Sequence, residues 1–83
     1  RGDVLVSISS SGRSKNLLHA AARAGEMGLS RITFTGGAPD NPLQALGDVR
    51  FWVESDSYSI IEAVHFAWLS TICEHCAKRI TAE

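Results

Sequence analysis

The sequence has little that would hold a fold together through covalent or metal cross-links. Its 83 residues include two cysteines, Cys73 and Cys76, and a pair this close together on a helix makes no long-range disulfide. A structural zinc site needs about four ligands, and no second CxxC motif is present to complete one. We therefore expect the two cysteines to behave as small buried apolar residues without a metal or redox role.

An excess of charge of one sign is also missing, and so are long hydrophobic runs. The formal charge of −1 comes from interspersed acidic and basic residues, so no basic face is indicated and a direct nucleic-acid partner is not expected. The unbroken apolar runs are far shorter than the roughly 20 residues of a membrane-spanning helix. No signal peptide is visible. We expect a soluble, cytoplasmic protein without a membrane partner.

Apolar residues make up 45% of the chain, which is enough for one small core. A domain of this size buries only about 60 to 65% of the surface of its unfolded chain, so a second domain is excluded. The chain begins at Arg1 and enters an apolar run almost at once, which is typical of a segment of a longer protein.

Hydrophobic periodicity and turn residues divide the chain into alternating strands and helices. We predict strands over residues 4–8, 32–35 and 49–53, helices over about 14–27 and about 57–78, a loop over 36–42 and a helical turn over 43–46. Gly28 is expected to end the first helix in a left-handed conformation. The order strand, helix, strand predicts an α/β fold with an open parallel sheet and flanking helices.

Three strands and two main helices are too few to cover both faces of a parallel sheet, which such sheets require. We infer either further strands before Arg1 or a partner subunit.

The first strand is followed by a turn rich in hydroxyl groups, which we call the serine turn and define as residues 9–14. In open parallel sheets, ligands bind beyond the carboxyl ends of the strands. The N–H groups at a helix N-terminus favour anions, and Gly12 allows close backbone approach. The turn therefore predicts a phosphate-binding site whose hydroxyl donors are Ser9, Ser10, Ser11 and Ser14.

A second interpretation of the serine turn stays open. Ser11 or Ser14 caps the helix, and the other serines are ordinary turn residues. The chain has neither the Walker lysine motif nor GxGxxG, so a nucleotide triphosphatase is disfavoured.

The last helix has a continuous apolar stripe, which we expect to be its buried face. The stripe consists of Ile61, His65, Trp68, Leu69, Ile72, Cys73 and Cys76. His65 lies in its middle, and two roles are open for it: a hydrogen-bonded histidine of the core or an interface, or a general acid or base. His19 and His75 fall on exposed positions.

The stretch GDVLVSISSSGRSKNLLHAAARAGEMG resembles the second half of a SIS (sugar isomerase) domain, a flavodoxin-like fold, and in particular its phosphoheptose isomerase branch. In that branch the strand is followed by Ser, Ser or Thr, Ser, Gly, any residue and Ser, and these hydroxyls hold the sugar phosphate. Ser9, Ser10, Ser11 and Ser14 match the pattern one for one. The likeness continues through residues 35–37 and the last helix, so that residues 1–83 resemble the C-terminal half of one SIS domain.

On the last helix the branch resembled has Gln, a His three residues later and a second His five further on. The aligned positions here are Glu62, His65 and Ser70, so two of the three depart from the pattern. The resemblance implies a site containing Glu62 and His65 as catalytic residues, with altered chemistry because serine transfers protons poorly. Some relatives bind zinc through that Gln and second His, and we expect no cofactor here.

The leading hypothesis is a ketose-aldose sugar-phosphate isomerase, an intramolecular oxidoreductase resembling sedoheptulose 7-phosphate isomerase. The resemblance also implies a homo-oligomer, a dimer or tetramer, with sites shared between subunits. The alternative is a non-catalytic SIS module that senses a sugar phosphate or bridges regulatory proteins. A third possibility is a different parallel α/β domain whose serine turn is only a helix cap.

Overall fold

The computed structural model describes residues 3–82, and the side chains of residues 3–78. Strands and helices alternate along the chain as expected. The elements are β1 (Val4–Ile8), α1 (Lys15–Glu26), β2 (Ser30–Gly36), α2 (Pro42–Leu46), β3 (Val49–Val53) and α3 (Tyr58–Ala82). The largest difference from expectation is the end of α3, which lies four residues beyond the predicted residue 78, and β2 is also longer at both ends than the predicted strand over residues 32–35.

The three strands form one parallel sheet in the order β1-β2-β3. In its register Ile8 lies beside Phe34, and Phe34 lies beside Phe51. This arrangement confirms the predicted α/β fold with a parallel sheet and flanking helices. The carboxyl ends of all three strands meet at one edge, and the loops that follow them build the candidate site.

α1 is bounded by a serine with extended backbone and by a glycine in the left-handed conformation. Ser14 precedes it with extended backbone (φ −67°, ψ 120°), and Gly28 follows it at a φ of +79°, a conformation that glycine adopts without steric cost. Ala21 and Ala24 form its buried face. Small side chains at these positions let the helix lie close to the sheet.

Aromatic rings fill the core on the opposite face of the sheet, between β2, β3 and α3. Phe34 and Phe51 stack with their ring centroids 4.6 Å apart. Trp68 of α3 lies against them, with its centroid 5.3 Å from that of Phe51, and the ring of His65 meets Phe34 edge-on at 5.7 Å. This cluster determines how α3 rests on the sheet.

The expected buried stripe of α3 is buried only in its first half. Ile61 and His65 are buried, but Ile72, Cys73 and Cys76 are exposed, so the expectation of buried cysteines was wrong. The reason is length. The helix has 25 residues and extends about 37 Å, whereas strands of five to seven residues extend only about 16 to 23 Å. The later turns of α3 therefore run past the sheet.

One row of side chains on the sheet is only partly covered by the described helices. Val4, Val6 and Ile8 alternate along β1 on the same face as Phe34, and each is about half exposed. α3 packs on the face that carries Phe34 and Gly36, while α1 and Asn41 at the start of α2 contact Arg31 and Thr35, which point to the other face. The described residues thus leave one sheet face partly uncovered. None of the described helices combines the length and the apolar character that a membrane span requires.

Candidate functional site

The serine turn joins β1 to α1 at the carboxyl edge of the sheet. Its first residue is tied to the neighbouring strand, since the Ser9 N–H donates to the Phe34 carbonyl at 2.9 Å. Gly12 then reverses the chain with a φ of +69°, in the left-handed region that favours glycine. The turn is therefore part of the sheet edge rather than a free loop.

Two of the serine hydroxyls shape the turn itself. Ser9 Oγ accepts from the Gly12 N–H at 3.0 Å, and Ser11 Oγ accepts from the Arg13 N–H at 3.2 Å. A hydroxyl that accepts a hydrogen bond still has its own hydrogen to donate. Both groups therefore serve as turn residues and keep a donor for an anion.

Ser14 occupies the N-cap position of α1, but its side chain makes no capping hydrogen bond. Its carbonyl accepts from the Leu18 N–H at 2.9 Å. The N–H groups of a first helical turn have no partner within the helix, and the hydroxyl of Ser14 does not satisfy them here. This helix N-terminus has donors to offer a negatively charged group.

A pocket of about 330 Å³ opens beside the serine turn. It brings together Ser10 from the turn with Glu62 and His65 from α3, and its other lining residues are Ile8, Phe66 and Leu69. Ser9, Ser11 and Ser14 are not part of this lining. Residues distant in sequence, a hydroxyl on one side and a carboxylate and an imidazole on the other, therefore share one open cavity.

His65 is held by a hydrogen bond to the sheet edge. Its side chain is 2% exposed, and Nε2 lies 2.9 Å from the Thr35 carbonyl oxygen. Because a carbonyl oxygen only accepts, Nε2 is the ring nitrogen that donates in this contact. Nδ1 is buried and has no hydrogen-bond partner among the described residues. Thus His65 is a bonded core histidine with one unused ring nitrogen.

Glu62 and Ser70 lie on the exposed part of α3, and of the two only Glu62 lines the pocket. At these two positions the resemblance described above implies a Gln and a His as the residues that would hold zinc. This pair fits zinc poorly, because a serine hydroxyl is not among its usual ligands. Within the described part of the chain, no group of three or more His, Cys, Asp or Glu side chains is arranged to hold a metal ion.

α3 reaches the pocket because β2 ends in glycine. A Cβ built on Gly36 would lie 2.7 to 2.9 Å from three side-chain atoms of Ile61, which is closer than packed carbon atoms approach. Ile61 is buried and directly precedes Glu62. The absence of a side chain at Gly36 therefore sets how near the pocket wall of α3 stands to the sheet edge.

Sequence reasoning missed one residue at this edge, Asn41. Its side chain is fully buried, its Oδ1 accepts from the Gln44 N–H at 2.9 Å, and it caps α2, which begins with Pro42. Asparagine followed by proline is a signal for a helix start, so the helix cap could have been predicted from the sequence. The burial of Asn41 against the serine turn could not have been predicted in this way.

Comparison with known proteins finds similar sequences among enzymes of one kind. A phosphoheptose isomerase of Bradyrhizobium sp. (strain BTAi1) is 42% identical over 73 residues, which are 88% of this chain and 36% of that protein. Over most of its own length, the chain is similar to one part of this phosphoheptose isomerase. A phosphoheptose isomerase of Streptomyces coelicolor is 41% identical over 73 residues, 88% of this chain and 31% of that protein. The expected resemblance to this branch is confirmed.

The likeness to phosphoheptose isomerases extends to an archaeal sequence. A probable phosphoheptose isomerase of Thermoplasma acidophilum is 39% identical over 72 residues, 87% of this chain and 39% of that protein. The chain thus spans about a third of the length of these phosphoheptose isomerases. No protein-family model matches the chain, and no solved structure matches it.

Proposed function

We propose that this chain forms part of a ketose-aldose sugar-phosphate isomerase. The observation that carries the proposal is the single pocket lined by Ser10, Glu62 and His65. A phosphate group held at the serine turn would extend its sugar along this pocket. The names of the relatives support the same reaction, with a heptose phosphate as the substrate class.

The serine turn is the proposed binding site for the phosphate group. Hydroxyl hydrogens of Ser9, Ser10, Ser11 and Ser14 are the proposed donors, together with the N–H groups of the first turn of α1. The Ser14 hydroxyl makes no cap bond, which favours a ligand role over a purely capping role. The positive end of the helix dipole adds to the attraction of a doubly charged phosphate.

Glu62 and His65 are the proposed proton-handling groups. Isomerisation moves one proton between adjacent carbons and another between the two oxygens. Glu62 has an exposed carboxylate on the pocket wall and is the proposed base that takes the proton from carbon. His65 lines the same pocket and is the proposed partner for the proton that moves between the two oxygens. Ser70 takes no part in proton transfer.

We further propose that residues 1–83 form the C-terminal half of one SIS domain of a cytoplasmic homo-oligomer. The exposed row of Val4, Val6 and Ile8 supports the need for a covering element, supplied by another part of the domain or by a partner subunit. Sugar phosphate is the proposed ligand, and no metal is assigned a step.

The test is turnover of sedoheptulose 7-phosphate by the intact protein. Glu62→Ala removes the carboxylate without introducing the Gln that the resembled branch has at this position, so kcat should fall about 10²- to 10⁴-fold with little change in KM. Glu74→Ala is the matched control, because Glu74 lies on the same helix, is exposed, and is outside the pocket lining. It should leave both constants unchanged.

A different result would identify the alternative. If the wild-type protein binds sedoheptulose 7-phosphate but releases no aldose product, the isomerase proposal fails and a non-catalytic sugar-phosphate sensor takes its place. Absence of binding as well would leave the serine turn as a connection between strand and helix without a ligand.

A further inference from the structure

Behind the serine turn lies Asn41, whose side-chain polar atoms are all hydrogen-bonded, to the end of β2, to the loop that follows it and to α2. Asn41 Nδ2 donates to Thr35 Oγ1 at 3.1 Å and to the Ala38 carbonyl at 3.0 Å, with the Gly36 carbonyl at 3.4 Å. Its Oδ1 accepts from the Gln44 N–H. A fully buried amide with both ends bonded has one orientation available to it.

This amide is packed directly against Gly12. A Cβ at position 12 would overlap Asn41 Oδ1 and Cγ, so the backbone of the serine turn touches the asparagine side chain. The Gly12 carbonyl accepts from the Leu43 N–H at 3.0 Å, and its N–H donates to Ser9 Oγ. Both polar groups of Gly12 are thereby held, one of them by the helix that Asn41 caps.

We call Asn41 and the hydrogen bonds of its side chain the brace. Thr35 connects the brace to the other wall of the pocket. Its Oγ1 accepts from Asn41 Nδ2, and its carbonyl oxygen accepts from His65 Nε2. The residue is fully buried at the end of β2. A chain of direct contacts therefore runs from Gly12 through Asn41 and Thr35 to His65, joining the serine turn to α3.

We propose that Asn41 and Thr35 are positioning residues that hold the serine turn at a defined distance from the pocket wall on α3. This inference rests on the proposed function, since it assigns the brace to a phosphate-binding turn. Neither residue touches the substrate. The cap on α2 does not explain the arrangement, because capping uses Oδ1, whereas the bond to Thr35 uses Nδ2.

β2 offers a matched pair of variants to test this proposal. Thr33 and Thr35 are both buried, but the Thr33 hydroxyl has no hydrogen-bond partner among the described residues, whereas that of Thr35 accepts from Asn41. Thr35→Val removes the hydrogen bond to Asn41 with little change in side-chain volume, whereas Thr35→Ser keeps a hydroxyl that can accept it. Thr33→Val removes a hydroxyl that makes no hydrogen bond among the described residues. Asn41→Ala removes the whole brace, and the threonine variants keep the test open should it fail to fold.

Two quantities are measured on the intact protein: hydrogen exchange at the Gly12 amide, and the Kd for inorganic phosphate. In Thr35→Val we expect exchange at Gly12 to rise about threefold to tenfold and the phosphate Kd to rise by a similar factor, the usual effect of one net hydrogen bond. Exchange at the Met27 amide, at the far end of α1, should not change. Thr33→Val and Thr35→Ser should resemble the wild type in every measurement.

The outcomes separate this inference from the proposed function. Unchanged Gly12 exchange in Thr35→Val, or an equal rise in Thr33→Val, overturns the positioning role whatever the phosphate data show. A selective rise at Gly12 in a protein whose wild type has no affinity for phosphate or sedoheptulose 7-phosphate overturns the phosphate site, while the brace on the turn stands.

Discussion

At the scale of single residues, Gly12 carries two constraints at once. Its φ of +69° lies in the left-handed region, and the space where a side chain would stand is filled by Asn41. Gly28 shares the first constraint, with a φ of +79°, but a Cβ added there would meet no atom of the described residues within 4 Å. A comparison of substitutions at Gly12 and Gly28 therefore distinguishes the cost of backbone strain from the cost of steric overlap.

Gly12→Ala should destabilise the protein more than Gly28→Ala. Both variants place alanine in a left-handed conformation, at a cost of about 1 to 2 kcal/mol, and only Gly12→Ala adds an overlap with Asn41, costing about 1 to 3 kcal/mol more. Urea denaturation of both variants measures the difference. Equal midpoints would mean that the turn moves away from Asn41 without cost.

Asp48 is the residue whose ionisation is coupled to the fold. Its Oδ2 accepts from the Arg31 backbone N–H at 2.8 Å and lies 3.5 Å from Arg31 Nε. The backbone hydrogen bond first, and then the guanidinium of Arg31, lower the pKa of Asp48 below its ordinary value of 3.8. A lowered pKa in the folded state means that ionised Asp48 favours folding.

Asp48→Asn should therefore alter stability in a pH-dependent way. The contribution of the carboxylate is present above pH 3.8 and is lost as the pH falls through the lower pKa of the folded state. The difference in denaturation midpoint between wild type and variant should be constant near neutral pH and should disappear as the pH falls below 3.8. Asp3→Asn, at an exposed carboxylate, is the control, and a gap that widens in acid would contradict the assignment.

At the scale of elements, a close contact with the end of β2 adds to the aromatic cluster in positioning α3. Ile61 packs over Gly36 so closely that no Cβ fits between them, and Ile61 stands next to Glu62 in the helix. Displacement of Ile61 would therefore move the pocket wall that carries Glu62 and His65. The contact connects packing of the core with the geometry of the site.

A double-mutant cycle tests this contact. Gly36→Ala should cost about 1 to 3 kcal/mol of unfolding free energy by overpacking. In an Ile61→Ala background the same change should cost almost nothing, because the three atoms that a Cβ would meet are gone. The measured quantity is the coupling free energy from chemical denaturation. Additive effects of the two substitutions would show that α3 adapts without resistance.

At the scale of the whole molecule, the apolar surface of the 83-residue chain is only partly covered. β1 is an edge strand with Val4, Val6 and Ile8 each about half exposed, and Phe66 on α3 is 73% exposed. Contiguous apolar surface beside an unpaired strand edge favours association. The chain therefore carries a surface that needs a partner, whether from its own polypeptide or from another.

The segment of residues 1–83, produced alone, should self-associate as its concentration rises. Replacement of Val4 and Val6 by Thr keeps the β-branched shape while making the surface polar, and should shift the equilibrium towards monomer. Sedimentation velocity over a range of concentrations measures this. Replacement of His19 by Gln, at an exposed position on α1, is the control, and a wild-type segment that stays monomeric at every concentration would show that β1 needs no cover.

The sequence by itself determined the local elements and the location of the serine turn. Strands over residues 4–8 and 49–53 were predicted with the observed bounds, and Gly28 ends α1 as expected. These features depend on local rules: β-branched runs, helix-forming runs and the conformational freedom of glycine. The turn at residues 9–14 follows from the same rules, because a strand and a helix must be joined there.

Only the tertiary structure decided which polar groups meet. The burial of Asn41 behind Gly12, the bond between His65 and Thr35, and the exposure of Cys73 depend on how far each helix extends over the sheet. Periodicity indicates which residues share a face of a helix, but not where the neighbouring element ends. Contacts between residues 30 positions apart, such as His65 and Thr35, arise from packing, and packing is a property of the whole fold.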